Sequence, residues 1–568
     1  MNRLLACGVW CLWASVAWSA DRPNFVWLIS EDNSTHYLQL FDEHGAATPE
    51  IAKLAQEGLI FDHAFSNAPV CSVARTTLIT GCYAPRIGTQ FHRRSVSVPM
   101  PAGLRMFPAY LRDAGYYTTN RAKKDYNADE GPGVWDASSN RASWRNRQLG
   151  QPFFHKQSFA ASHESSLHFS RREMETQPTT TDPQSVFLPP YHPDTPTFRY
   201  TVARYHDRMQ AIDKQIGAVV DQLATDGLLD DTFVFYFGDH GGVLPRGKGY
   251  AYESGLHVPL VVRVPRNFRH LVPFESGARV SGFVSFVDFG PTLLQLAGID
   301  VPKQEDGRPF LGNGVTADDV NQRQEAFGYA DRFDEKYDLV RTLRHGNYEY
   351  VRSYQPFNFD GLQNNYRYRM LAYREWRELA QQGQLTSTQH QFFEPRPAEA
   401  LFDLERDPHE VNNLAADPHY TDIVKRLREE LTQRVKSLPD LSFLPESVLQ
   451  REAFDDPVRF GQREKSRIAE LVEISDLSLG AFADAEPHLA IALASEDPWQ
   501  RYWGLIVCSR FGAEAQSLVD VAKRLAERDA ELLVRTRAAE FLGLIGAADP
   551  RPVLREVLAK SKNATEVL

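Results

Sequence analysis

Residues 23–32, Pro23-Asn24-Phe25-Val26-Trp27-Leu28-Ile29-Ser30-Glu31-Asp32, set an unbroken apolar run directly against two carboxylates. A short run without polar alternation is what a strand buried on both faces requires, and such strands belong to parallel sheets covered by helices. The acidic pair then falls at the strand's C-terminal edge, where open α/β sheets bind their ligands. Adjacent hard oxygen donors suit Ca²⁺ or Mg²⁺, with the Asn33 carbonyl as a third; a helix cap or solvated loop would use the same residues. A second run, residues 232–237, ends the same way in Gly238-Asp239-His240-Gly241-Gly242. Residues 116–120 and 151–161 add two more strands, leading into Lys123-Lys124-Asp125-Tyr126-Asn127 and Ser162-His163-Glu164-Ser165. Residues 200–223 carry apolar side chains at helical spacing and predict an amphipathic helix on the sheet.

Residues 67–82, Asn-Ala-Pro-Val-Cys-Ser-Val-Ala-Arg-Thr-Thr-Leu-Ile-Thr-Gly-Cys, read as a loop feeding the first turn of a helix. Unpaired backbone N–H groups at such an end favour an anion, which places Cys71 in positive potential. Arg75, one turn later, lies on the same face and can hold a charged group formed at Cys71. A buried structural cysteine, or a pair with Cys82, is the alternative. The basic residues Arg86, His92 and Arg93 follow closely enough to line a pocket, or to be ordinary surface.

Cys71-Ser72-x-x-Arg75-x-x-Leu78-x-Thr80-Gly81 resembles the signature of the formylglycine-dependent sulfatases of the alkaline phosphatase superfamily, with Val73 where that family usually has Pro or Ala. The resemblance implies that a formylglycine-generating maturation enzyme oxidises Cys71 to 3-oxoalanine, whose hydrate attacks sulfur. It implies one Ca²⁺ held by Glu31, Asp32, Cys71, Asp239 and His240, with Glu31 where the family has a first Asp. Lys123 matches the Lys of the family's Lys-x-His motif and Asp125 stands at its His. His163 takes the position serving the leaving group, and Lys248, in Gly247-Lys248-Gly249, that of a second sulfate-binding lysine. Arg75 would share in neutralising the sulfate, and Asp125 or Asp239 would take the proton that ejects it. The Lys-x-Asp-Tyr-Asn version looks like the polysaccharide and sulfamidase-like branch, and residues 403–414 resemble the family's C-terminal sequence.

At 568 residues the chain is too long for one core. A net charge of -11 excludes a general binder of nucleic acid or anionic membrane. Residues 1–20, with Arg3 ahead of an apolar run and Ala17, Ser19 and Ala20 before Asp21, predict a secretory signal peptide, hence a secreted or periplasmic protein with no membrane span. Cleavage leaves Cys71, Cys82 and Cys508, an odd set and no disulfide framework.

The expected architecture is α/β. Residues 21–320 form an alkaline-phosphatase-like mixed, mainly parallel sheet between helices. An antiparallel α+β subdomain covers 321–440 and a Pro-containing linker 441–480. Paired helices over 481–568 resemble HEAT repeats and should lean on the body or on a second copy, as in a homo-oligomer. Residues 166–200 predict a long surface loop at a cleft, and residues 354–376 mix Arg with aromatics as a sugar-binding surface or a core would. The expected activity is hydrolysis of sulfate esters, or sulfamates, of a carbohydrate. Phosphate or phosphonate ester hydrolysis, and glycan binding by an unmatured pseudoenzyme, are the alternatives.

Overall fold

The computed structural model describes residues 21–93, 95–121 and 123–567, so the signal-peptide reading of residues 1–20 lies outside the described residues. Eight strands form one sheet: β1 (Asn24–Ser30), β2 (Gly58–Phe65), β3 (Tyr117–Arg121), β4 (Ala137–Ser138), β5 (Phe153–Phe159), β6 (Thr232–Gly238), β7 (His257–Arg263) and β8 (Ala278–Ser285). They are ordered β4-β3-β5-β1-β6-β7-β2-β8, and β7 runs antiparallel to both of its neighbours while the remaining pairs are parallel. This is the mixed, mainly parallel sheet that the resemblance implies and the apolar runs allow.

Every residue of β1 is buried, and its side chains alternate between two cores. Phe25, Trp27 and Ile29 join one core with Val73, Leu78 and Ile79 of the helix Cys71–Thr80; Val26 and Leu28 join the other with Met209, Ile212 and Ile216 of the helix Pro196–Thr225. Both faces are apolar because helices cover both, which is why the strand shows no period of two. Trp27 sits among the rings of Phe107, Phe154 and Phe237, with centroids 5.1, 5.2 and 5.4 Å away. Trp27→Ala is expected to cost about 3–5 kcal/mol, read by urea denaturation, since the rigid strands around it cannot collapse into the cavity.

The register of β1 gathers three distant segments of chain. Ser30 lies opposite Phe159 on one side and Gly238 on the other, so residues 31–32, 160–164 and 239–240 leave the sheet at one edge. Backbone bonds carry the pairing one residue further, Glu31 N to Phe159 O (3.1 Å) and Asp239 N to Ser30 O (3.0 Å).

A second, antiparallel sheet is built from β9 (Glu325–Ala330), β10 (Val340–His345), β11 (Tyr348–Ser353) and β12 (Glu399–Asp403), ordered β12-β11-β10-β9. Residues 441–480, expected as a linker, contain the helices Glu446–Glu452, Pro457–Arg463 and Lys465–Asp476. Pro457 lies in a first turn, where a missing N–H costs nothing, so it starts a helix and breaks none. Ile468, Leu471, Val472 and Ser475 then bury one face.

The helices Phe482–Leu493, Pro498–Phe511, Val519–Arg528, Leu532–Leu544 and Arg551–Lys560 follow; Pro498–Phe511 packs between Phe482–Leu493 and Leu532–Leu544, and the last of these also meets Val519–Arg528 and Arg551–Lys560. Their apolar side chains are continuous with the Trp27 core, and Trp503 closes the seam, donating from Nε1 to Phe443 O (2.8 Å) and standing 6.2 Å from the ring of Tyr354. The tail therefore leans on the body of the same chain. Among the described residues, no helix is long and apolar enough to cross a membrane.

The loop between β9 and β10 and the start of β10 are clamped from residues 440 and 446. Arg332 donates to Glu446 through Nε (2.5 Å) and a terminal nitrogen (3.0 Å), and Arg341 donates in the same way to Asp440 (2.6 and 3.0 Å). All four side chains are buried.

Candidate active site

Cys71 begins the helix Cys71–Thr80, and Gly81, in the left-handed region at φ 64°, closes it by donating to Thr77 O (3.0 Å). The thiol is buried and faces the sheet edge. Its Sγ lies 3.2 Å from His240 Nε2 and 3.8 Å from Asp32 Oδ1. Asp32, Cys71, Asp239 and His240 offer ligand atoms that all fall within 4.8 Å of one another, and none of the four is exposed to solvent by more than 1 %.

Each of these groups is held from behind. Asp32 takes the left-handed backbone conformation at φ 51°, accepts two bonds from Lys248 Nζ (3.0 and 2.9 Å) and one from Glu164 N (2.7 Å), and donates its own N–H to Asp239 Oδ1 (2.8 Å). Arg75 Nε donates to Asp239 Oδ2 (2.9 Å). His240 Nδ1 donates to Gly241 O (2.9 Å), which fixes the ring and leaves Nε2 facing Asp32 at 2.9 Å.

The charges settle one another. Burial alone would push the Cys71 thiol up, but Lys123, Lys248 and His240 outweigh it and hold it at about 6. Burial likewise opposes the charge on Asp239, yet Arg75, His240 and Lys123 hold its carboxyl down at about 2. Burial disfavours an imidazolium, but Asp239, Cys71 and Asp32 raise His240 to about 10. Its proton serves as the counter-charge to two buried carboxylates, a place that a bound cation would take instead.

The donor set fits a cation, and its composition bears on which one. As encoded it mixes a soft thiol with hard oxygens; with an oxygen at position 71, three of the four donors become oxygen, the preference of Ca²⁺. The Asn33 side chain is engaged elsewhere: its oxygen accepts from Tyr205 OH (3.4 Å) and its amide nitrogen donates to Tyr236 OH (3.0 Å).

Several residues expected here stand elsewhere. Glu31 lies outside the four-residue group: its arm, one methylene longer than Asp, carries Oε2 to Lys123 Nζ at 3.1 Å. Arg75 is fully buried, donating to Asp239 Oδ2 (2.9 Å) and Ser158 Oγ (3.1 Å), so it braces Asp239 from behind. Lys123 does reach the site edge, with Asp125 Oδ2 3.6 Å from its ammonium. His163 Nδ1 accepts from Ser165 N (3.3 Å), so Nε2 carries the proton, 4.0 Å from Glu31 Oε2. Burial works against the charged ring, but Cys71 and Asp32 raise His163 above its ordinary value.

His92 is buried with Nδ1 3.1 Å from Ser72 Oγ and Nε2 3.7 Å from Asp334, and Arg93 is exposed, its backbone N–H bound to Ser72 Oγ (3.0 Å). Cys71 and Cys82 are both free thiols.

Arg86 turns away altogether, donating to Asp306 Oδ2 (2.9 Å) and Gln304 O (2.7 Å). Beside it both carboxylate oxygens of Glu305 lack a hydrogen-bond partner, and burial together with Asp306 pushes that carboxyl up to about 8. The folded chain therefore keeps a proton that the unfolded chain releases above about 4.3, and stability falls as pH rises from there to about 8. Glu305→Gln is expected to match wild type near pH 4.5 and to exceed it by about 1–3 kcal/mol at pH 8, read by urea denaturation at both values.

Sequence reasoning missed Lys156, Glu164 and Arg367. Lys156 on β5 is fully buried, and burial and Arg75 hold its amine well below the ordinary value; it donates to Asn120 Oδ1 (2.9 Å) and Lys123 O (2.6 Å), fixing the strand end that carries Lys123. A Lys inside the strand expected over residues 151–161 was the visible signal.

Comparison with known proteins agrees with this geometry. A family model described as Sulfatase matches residues 23–299. An ulvan-active sulfatase of Formosa agariphila is 35% identical over 473 residues, covering 76% of this chain and 77% of that protein. The N-sulphoglucosamine sulphohydrolase of Homo sapiens is 24% identical over 464 residues, with 72% and 90% covered. In fold, the chain matches the crystal structure of a phosphonate monoester hydrolase of Agrobacterium radiobacter with a TM-score of 0.55 at 17% identity, covering 74% of this chain and 97% of that one. The Sulfatase match ends well before the tail.

Proposed function

The chain belongs to the sulfatase family, and on that premise we propose that it is an exported hydrolase of sulfate esters on a carbohydrate chain, matured to formylglycine at Cys71 and dependent on one Ca²⁺. The observation that carries this reading is the buried group of Asp32, Cys71, Asp239 and His240 with two lysine ammonium groups beside it. A tetrahedral dianion or monoanion needs fixed positive charge on several oxygens at once, in a site that excludes water. The carbohydrate assignment rests on the relatives, an ulvan-active sulfatase and a sulphoglucosamine sulphohydrolase.

Asp32, Asp239 and His240 would hold the ion, which with the hydrated aldehyde supplies a Lewis acid and a nucleophilic hydroxyl. The chain's own residues do the rest. Arg75 keeps Asp239 aimed inward, and Lys123 and Lys248 offer ammonium protons to sulfate oxygens entering beside position 71. His163, with its proton on Nε2 and its charge favoured by its surroundings, delivers that proton to the departing sugar oxygen. Asp125, whose Oδ2 lacks a hydrogen-bond partner 3.6 Å from Lys123, is the free acceptor on that side.

The test is turnover of an aryl sulfate against an aryl phosphate, run beside mass spectrometry of the peptide containing Cys71. A loss of about 18 Da at Cys71, with the sulfate turned over faster, is expected. Preference for the phosphate would move the assignment to a phosphoester hydrolase; an unmodified Cys71 in an inactive protein would favour a glycan binder.

A further inference from the structure

Glu164 and Arg367 have no part in the mechanism above, yet both are buried at 1 % exposure with their charged ends unsatisfied. Both carboxylate oxygens of Glu164 and both terminal guanidinium nitrogens of Arg367 lack a hydrogen-bond partner. Buried charges are ordinarily paired and hydrogen-bonded, so four open positions side by side call for an explanation.

The two residues continue a line of alternating charge that leads into the site. Arg367 Nε is 3.9 Å from Glu164 Oε1, Glu164 Oε2 is 3.5 Å from Lys248 Nζ, and Lys248 Nζ is 3.0 and 2.9 Å from the two oxygens of Asp32. The bonds to Asp32 are full ones and the outer two links are too long to be. Lys248 thus leans toward Asp32, and Glu164 stands open behind it.

That arrangement is weakened once Asp32 serves as a ligand. A cation seated among Asp32, Asp239, His240 and position 71 draws on the same carboxylate oxygens that now satisfy the ammonium of Lys248. A buried ammonium deprived of its partner is costly, and Glu164 is the acceptor in reach. The backbone already holds Glu164 in place, because its N–H donates to Asp32 Oδ2 (2.7 Å).

Arg367 fixes the far end. Its guanidinium carbon lies 4.6 Å from the ring centre of Phe333, 4.9 Å from that of Tyr250 and 5.5 Å from that of Tyr373, so it cannot swing. It also packs on Gly249, next to Lys248, where a Cβ would stand 2.8 Å from its Nη2 and 2.6 Å from Phe333. Gly249, at φ 83°, donates to Pro69 O (2.7 Å), tying the Lys248 loop to the one that precedes Cys71.

We propose that Glu164 is the second seat of Lys248: when a cation takes the oxygens of Asp32, the ammonium passes to Glu164, and Arg367 holds that carboxylate ready. Both are positioning residues. The inference rests on the calcium reading above.

Calorimetric titration of Ca²⁺ into chelator-stripped protein tests it. Glu164→Gln is expected to weaken Ca²⁺ binding about 10-fold or more, because Lys248 then stays on Asp32 and competes with the ion. Glu164→Asp should recover most of that loss, and Arg367→Lys, which leaves Glu164 in place, should shift affinity in the same direction by less. In a Lys248→Ala background Glu164→Gln should change nothing, since the competitor is gone. An equal loss in both backgrounds would overturn the proposal, because Glu164 would then act through the fold. So would unchanged affinity in Glu164→Gln. A wild-type protein that takes up no Ca²⁺ overturns the calcium reading and this inference with it, whereas wild-type binding that Glu164→Gln leaves intact overturns this inference alone.

Discussion

Cys71→Ala is expected to abolish sulfate-ester turnover, a loss of about 10⁴-fold or more, while the protein stays folded. The side chain sits at 1 % exposure between the helix it begins and the sheet edge, and removing one sulfur leaves a void smaller than a methylene pair. The groups around it, Lys123, Lys248 and His240, remain paired with Glu31, Asp32 and Asp239, so no bare charge is left behind. Fold and activity therefore separate cleanly at this position. Cys71→Ser should be equally inactive in a host that matures only cysteine. The measurements are initial rates on an aryl sulfate and the thermal unfolding midpoint; full activity in Cys71→Ala would sink the mechanism.

Chelation is the second large effect. Stripping Ca²⁺ should remove activity by more than about 100-fold, and adding Ca²⁺ back should restore it. The fold should survive at reduced stability, because His240, Lys248 and Arg75 already neutralise Asp32 and Asp239 when no ion is there. At a 100-fold excess of ion over its dissociation constant the stabilisation is about 2.7 kcal/mol. Scanning calorimetry with chelator and with Ca²⁺ gives the difference, and a protein indifferent to both in rate and midpoint would exclude the metal from the site.

The part of this site that could be read from sequence is the part a parallel sheet creates by itself. Runs such as residues 24–30 and 232–238 end in register, so the residues just beyond Ser30 and Gly238 must meet, however far apart in the chain. Asp32 stood out at a strand end for that reason, while Asp239 and His240 were joined to it by the family resemblance. Arg75 was placed on the right face by helical spacing, but spacing does not say that Asp239 lies within hydrogen-bond reach of it. Arg86 looked like a pocket residue because it follows the nucleophile closely; Asp306, 220 positions away, claims it. Glu164 and Arg367 come from separate segments, and nothing in either segment marks them as a pair. The supposed linker failed for a local reason, since Pro457 is as compatible with a helix start as with a break.

On the maturation proposed above, the burial of Cys71 also sets an order of events. Its Sγ is enclosed by the helix Cys71–Thr80 and by three strand ends, and Val73, two residues on, is locked into the core. An oxidising enzyme cannot grip either residue in the finished molecule. The signature must be met while the chain is still extended, and any Val73 side chain it presents is then free of its neighbours. The clamp on the β9–β10 loop comes from Glu446, far downstream, and that loop contacts His92 through the backbone of Arg332 (3.0 Å). Closure of the pocket therefore waits for the distal third of the polypeptide to emerge. Biosynthesis itself would then open a window for the proposed modification, and a slower ribosome would lengthen it.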